Sequence, residues 1–172
     1  GLPEFLPNAQ GKILNNDYFG GDLAGITEKI PYLRELGVTC LYLNPIFEAH
    51  SNHRYNTADY RKIDPLLGTE EDFRQLCDAA HQAGMAVILD GVFSHTGSDS
   101  IYFNREGRYG NSGAFRDPQS PYRKWYQFEQ YPYRYHSWWG IDTLPNVNEE
   151  EPTYLDFICA DDGVLAFWMG LG

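Results

Sequence analysis

The chain is short of positive charge. Its 13 Lys and Arg stand against 24 Asp and Glu, a net charge of −11. A protein that grips phosphate backbones needs clustered basic residues, so the charge balance argues against nucleic-acid binding. Cysteine is scarce too. Cys40, Cys77 and Cys159 are far apart and form no CxxC or CxxH spacing, which argues against a zinc ribbon. Three buried, reduced thiols in a cytoplasmic protein are the expectation. No run of 18 apolar residues exists, so nothing should span a membrane. No signal peptide is visible, in a chain that starts without Met and reads as an excised segment. No GxGxxG or Walker glycine pattern follows either strand-like run, so a nucleotide-binding fold loses ground.

What is present is a globular composition, with 42% hydrophobic and 22% charged residues. Residues 1–21 read as irregular. Asp22 precedes a helical pattern with Ile26, Ile30, Leu33 and Leu36 on one face, and Gly37 stops it. Residues 39–47 (TCLYLNPIF) form a nearly continuous apolar run, as expected of a strand buried on both faces. Residues 48–68 read as loop. Thr69-Glu70-Glu71-Asp72 has the form of a capping box, and Phe73, Leu76, Cys77 and Ala80 continue the helix face to Gly84. Residues 85–92 (MAVILDGV) form a second buried strand. Helix, strand, helix, strand predicts parallel strands near 39–44 and 86–90 with a right-handed crossover, and helices near 24–36 and 70–83.

Residues 96–148 differ. They are rich in Tyr, Trp, Arg, Gly, Ser and Pro without a sustained period, which suits a small inserted subdomain better than one connection. Aromatics reach 16% of the chain. They fit core packing, and they also fit a surface that stacks sugars. Residues 152–171 recover one helical pattern, whose Phe167 and Trp168 need a covering partner. His50 and His81 carry no assignment, and His81 should face solvent.

Each strand ends in a polar cluster: residues 44–55 (NPIFEAHSNHRY) after the first and residues 90–95 (DGVFSH) after the second. In a parallel α/β architecture that is the face where sites are built. Asp90 directly ends a buried run and needs a partner, because an unpaired buried carboxylate costs about several kcal/mol. Asp90 and His95 could share one cleft. Asp90 as a plain cap of the strand–loop junction is the alternative.

These motifs carry a resemblance. DGVFSH resembles the first conserved region of the α-amylase family, glycoside hydrolase family 13. Residues 44–69 resemble the stretch after that family's second barrel strand, residues 19–26 (FGGDLAGI) its first loop and helix, and residues 144–148 (LPNVN) its region near the end of domain B. The form of LPNVN is similar to the neopullulanase, cyclomaltodextrinase and maltogenic-amylase group. The resemblance implies an α/β fold, a partial (β/α)8 TIM barrel with strands two and three and flanking helices. Its division would be barrel at 1–95, inserted domain B at 96–148, and the helix before strand four at 149–172.

The roles implied are residue by residue. Tyr55 matches the ring that stacks under the glucose at the reaction centre, His95 the imidazole that hydrogen-bonds that sugar, and Asp90 the carboxylate that braces an active-site Arg. His53 matches a cleft position near Tyr55, with a structural role as the alternative. Calcium is the one cofactor implied. Ser94 stands where many relatives place a calcium-ligating Asn, so that site is in doubt. The Gly20 carbonyl and Asp22 match calcium ligands of the neopullulanase group, although Asp22 equally suits a helix N-cap. The partners implied are an α-glucan oligosaccharide, the remainder of a parent chain, and a second copy in a homodimer. A retaining glycosidase needs two carboxylates about 5–5.5 Å apart. The resemblance places both beyond Gly172, so the expected activity is that of a parent hydrolase of maltodextrins, cyclodextrins or pullulan. A carbohydrate-binding fragment without turnover is the alternative. A metal-dependent hydrolase using His50, His53 and Asp59 is a third reading. Glu149–Glu151 reads as a solvated helix start and Asp161-Asp162 as a surface pair.

Overall fold

A computed structural model describes residues 18–172 together with residues 7 and 9–11. Most of the irregular stretch 1–21 lies outside the described residues. The elements run α1 (Leu23–Glu35), β1 (Cys40–Leu43), β2 (Phe47–Ala49), β3 (Thr57–Ile63), α2 (Glu70–Gln82), β4 (Ala86–Leu89), β5 (Phe128–Gln130), β6 (Arg134–Tyr135), α3 (Pro152–Cys159) and α4 (Val164–Met169).

Local chemistry sets these boundaries. The Asp22 carboxylate caps α1 by accepting from Gly25 N at 2.7 Å. Gly37, at φ +86°, lets the chain leave α1 in the left-handed region, with Val38 N returning to Leu33 O at 3.0 Å. Thr69 and Asp72 form the reciprocal capping box of α2. β1 and β4 are parallel, with Cys40 opposite Ala86 and Leu43 opposite Leu89. The fold expected from the helix–strand order is present.

Burial departs from expectation on this sheet. Leu41, Leu43, Val87 and Leu89 are buried or half-buried, whereas Cys40, Tyr42, Ala86 and Ile88 are exposed. Side chains alternate across a strand, so one face lies against protein and the other meets solvent. Among the described residues the sheet has only two strands, and nothing covers its second face. Cys40 and Cys159 are accordingly exposed, and only Cys77 is buried.

Two further expectations are corrected. The stretch read as loop at 48–68 holds β2 and β3, paired antiparallel with two register shifts. The polar residues of β3 hid it, yet Thr57, Ala58 and Tyr60 are fully buried. The pattern read as one helix at 152–171 is α3 and α4, broken at residues 160–163. The break turns Trp168 inward. Its ring packs on Phe47 at 4.8 Å and Phe73 at 5.7 Å, and its indole N–H donates to Tyr60 O at 2.8 Å. Phe167 is half-buried against the core, so neither ring is left bare.

Most aromatics of residues 102–135 are core. Tyr102, Phe103, Trp125 and Tyr126 are nearly sealed, in a ring cluster that reaches Tyr60, Tyr154 and Phe157. Burial pushes the phenols of Tyr60, Tyr102 and Tyr126 far up, so they stay neutral donors. Tyr133 is the exposed aromatic of that stretch, at 80%, and just beyond it Trp138 and Trp139 are 36% and 86% exposed.

Candidate functional site

β1 and β4 deliver two polar strand ends to one place. Asp90 follows β4, and its N–H donates to Leu43 O at 3.1 Å, so the ladder continues to the carboxylate. Alternation puts Asp90 on the face of Ile88 and Tyr42. The Tyr55 hydroxyl donates to Asp90 Oδ2 at 2.9 Å. That hydrogen bond holds the Tyr55 phenol above its ordinary range, and interaction with the same carboxylate raises the Tyr42 phenol as well. Asp90 therefore holds the Tyr55 hydroxyl at the strand end, on the sheet face that Tyr42 shares.

Tyr55 is presented by a strained loop. Arg54 has φ +64°, uncommon for a residue with a side chain. It is 7% exposed, and its Nη1 lies 2.5 Å from Asp64 Oδ2. Burial alone would raise the Asp64 carboxyl. The Arg54 guanidinium and the N–H groups of Leu66 and Ala49 outweigh burial and hold it below its usual value. The pair anchors the loop base, and a hydrogen bond between Ser51 and Asn56 closes its neck. Tyr55 N donates to His53 Nδ1 at 3.1 Å, and the two rings lie near-parallel at 6.3 Å.

His95 sits beneath. It is 4% exposed, and its Nε2 lies 3.0 Å from Tyr55 O and its Nδ1 3.1 Å from Ser94 Oγ. Burial lowers its pKa, the Tyr55 carbonyl works against that, and His53 adds to it. Desolvation lowers His53 as well. Near neutral pH both rings are uncharged, and both nitrogens of His95 are engaged, by Ser94 and by the Tyr55 carbonyl. Thus Tyr55, Asp90, His95 and His53 come together. A cavity of about 660 Å³ adjoins through Tyr42 and Arg54, lined also by Asn44, Asp22 and Lys29.

Several supporting residues were not visible from the sequence. The Tyr60 hydroxyl lies 2.6 Å from Val92 O and 3.0 Å from His95 O, and Tyr154 donates to Phe93 O at 2.7 Å. These phenols fix the backbone of DGVFSH from below. LPNVN lies alongside it, with Val147 N donating to Ser94 O at 3.0 Å and Thr96 N to Pro145 O at 3.2 Å. The Trp138 ring stands 5.5 Å from His95. Each link spans tens of residues in sequence, and no local period reports it.

Other candidates separate from the site. His50 binds Asp99 at 2.8 Å, and Asp59 accepts from Tyr102 Oη at 3.2 Å and Arg61 N at 3.0 Å. Among the described residues no three His, Cys, Asp or Glu side chains gather as a metal group, so the trio His50, His53 and Asp59 is not assembled. His81 is solvent-exposed on α2, and Asp161 and Asp162 are exposed. Asp22 and the Gly20 carbonyl are oxygen donors suited to calcium, but Asp22 Oδ1 is engaged as the α1 cap. Calcium takes 6–8 oxygens. The described residues do not by themselves fit a complete calcium site.

Comparison with known proteins places this geometry. The α-amylase catalytic-domain model matches residues 3–168. An amylopullulanase of Thermoanaerobacterium saccharolyticum is 47% identical over 170 residues, covering 91% of this chain and 13% of its own length. Neopullulanase 2 of Thermoactinomyces vulgaris is 37% identical over 165 residues, covering 92% of this chain and 26% of its own. Among solved structures, the type III pullulan hydrolase from Thermococcus kodakarensis superposes with a TM-score of 0.79 at 33% identity, over 98% of this chain and 31% of that one. The chain thus spans a minor part of the relatives it matches.

Proposed function

The chain belongs to the α-amylase catalytic-domain family, and on that premise we propose that it forms the sugar-holding side of a retaining glycoside hydrolase. Its substrates are α-glucans: maltodextrins, cyclodextrins or pullulan. Tyr55 would stack under the reacting glucose, with His95 and His53 bonding its hydroxyls. Asp90 would orient Tyr55 and brace a cationic partner. The nucleophile and the acid/base would come from sequence following Gly172. In this reading residues 1–95 and 149–172 are barrel, and 96–148 are domain B. The rest of a parent chain, or a second copy, covers the open face of β1 and β4. Calcium at Gly20 and Asp22 would need further oxygens from elsewhere. Among the described residues no helix is long and apolar enough to cross a membrane. Three unpaired thiols support a cytoplasmic location.

One observation carries the reading. Tyr55 Oη meets Asp90 Oδ2 at 2.9 Å, over His95, at the C-terminal ends of two adjacent parallel strands. The test is pullulan and maltodextrin hydrolysis by the reading frame continued past residue 172. Turnover should fall at least about 100-fold in Asp90→Asn, the scale of a lost positioning group. Unchanged turnover in that variant would overturn the site.

A further inference from the structure

Trp138 and Trp139 are an unusual pair. Their rings stack at 4.9 Å with 9° between planes, and they are 36% and 86% exposed. A large exposed ring normally costs solvation and is turned inward where the backbone allows. Here the backbone does the opposite. Trp139 has φ +52° and Gly140 φ +76°, and Ile141 N donates to Trp138 O at 2.9 Å. This is a tight turn with both central residues left-handed, where Asn or Asp before Gly is at ease and Trp is not.

The turn is also clamped. Trp138 N donates to Leu144 O and Leu144 N to Ile141 O, each at 2.9 Å. Asp142 O accepts from Tyr135 Oη at 2.7 Å and Arg105 Nη1 at 3.1 Å. The surroundings hold a strained residue so that its ring faces outward, a pattern that marks ligand clamps. Trp138 meanwhile stands 5.5 Å from His95. His95, Trp138 and Trp139 therefore make a contiguous row of rings leading out of the site, with Trp139 the most exposed.

We propose that Trp138 and Trp139 form a stacking platform for a glucosyl ring that flanks the one held at Tyr55. The C–H faces of a glucose ring carry slight positive charge and match the negative face of an indole. A broad, exposed indole face backed by a second stacked ring, rather than hydrogen-bonding groups, would grip chain length without reading one linkage. The inference rests on the α-glucan reading given above and adds the residues that hold the neighbouring sugar.

The test uses the chain and maltohexaose, with cellohexaose as control, read by tryptophan emission and calorimetry. Trp125 and Trp168 are 3% and 7% exposed, so a sugar-dependent emission change reports Trp138 and Trp139. Trp139→Asn suits the turn and should melt at the same temperature or higher. Its Kd for maltohexaose should rise about tenfold or more, equivalent to about 1.4 kcal/mol. Trp139→Phe should keep most of the affinity. Tyr55→Ala should weaken binding independently. If Trp139→Asn binds like the wild type while Tyr55→Ala does not, the platform is wrong and the α-glucan site stands. If the wild type fails to bind maltohexaose, both fall. A collapsed melting temperature in Trp139→Asn would make Trp139 a packing residue and also overturn the proposal.

Discussion

Tyr60→Phe isolates one hydroxyl at the centre of this fold. Tyr60 is fully buried, and its ring touches Phe47, Phe93, Tyr102 and Phe157. Phenylalanine keeps every one of those contacts. What disappears is the O–H that reaches Val92 O and His95 O, both on the segment carrying the site. A net hydrogen bond is worth about 1 kcal/mol, and a buried acceptor left unpaired costs about 1–3 kcal/mol more. The expected loss is about 2–3 kcal/mol, a large part of the roughly 5–15 kcal/mol that holds a typical domain. Urea unfolding should show a lower midpoint with an unchanged slope, because the exposed area on unfolding does not change. Tyr133→Phe, at a ring 80% exposed, is the control and should leave the midpoint in place. A Tyr60→Phe midpoint equal to that of the wild type would refute the claim that this phenol braces DGVFSH.

Two other expectations follow. His95 titrates below its ordinary 6.5 because burial disfavours the imidazolium, and His53 is shifted the same way. The unfolded chain therefore binds more protons than the folded one below 6.5. Stability should be full above 6.5, fall as pH drops through 6.5 toward the folded value, and level off beneath it. Melting curves of wild type and His95→Gln check this; the variant should show a shallower slope, and an equal slope would contradict the assignment. The open face of β1 and β4 exposes Tyr42 at 61% and Ile88 at 48%, with Met169 80% exposed on α4. Unpaired strand edges flank it. The isolated chain should self-associate in sedimentation, and Ile88→Lys should shift it toward monomer. A monodisperse, cooperatively melting wild-type monomer would contradict that.

The parts legible in the sequence were those with local causes. The Asp22 cap, the Thr69–Asp72 box and the two apolar runs each announce themselves within a dozen residues, and they placed α1, β1, α2 and β4. The polar cluster at the end of a buried run points to Asp90 and His95 as neighbours, whereas Tyr55 enters only through the resemblance to the family; the structure brings the three side by side. What escaped was set at long range. β3 reads as polar because Asp59, Arg61 and Lys62 interrupt it, yet Tyr60 makes it part of the core. The break between α3 and α4 leaves helical periodicity nearly intact while turning Trp168 inward against Phe47. Both strands were expected to be covered twice because apolar runs imply burial. The described residues supply only one covering layer, and composition carries no sign of which layers are present.

On the proposed reading, this chain holds the sugar but not the carboxylates that break the bond. Hydrolysis of maltodextrin and pullulan by the purified 172-residue chain tests it most directly. No turnover above a mock preparation is expected, since general-acid protonation and covalent attack each need a placed carboxyl group. Turnover abolished by changing a single carboxylate within residues 1–172 would contradict it.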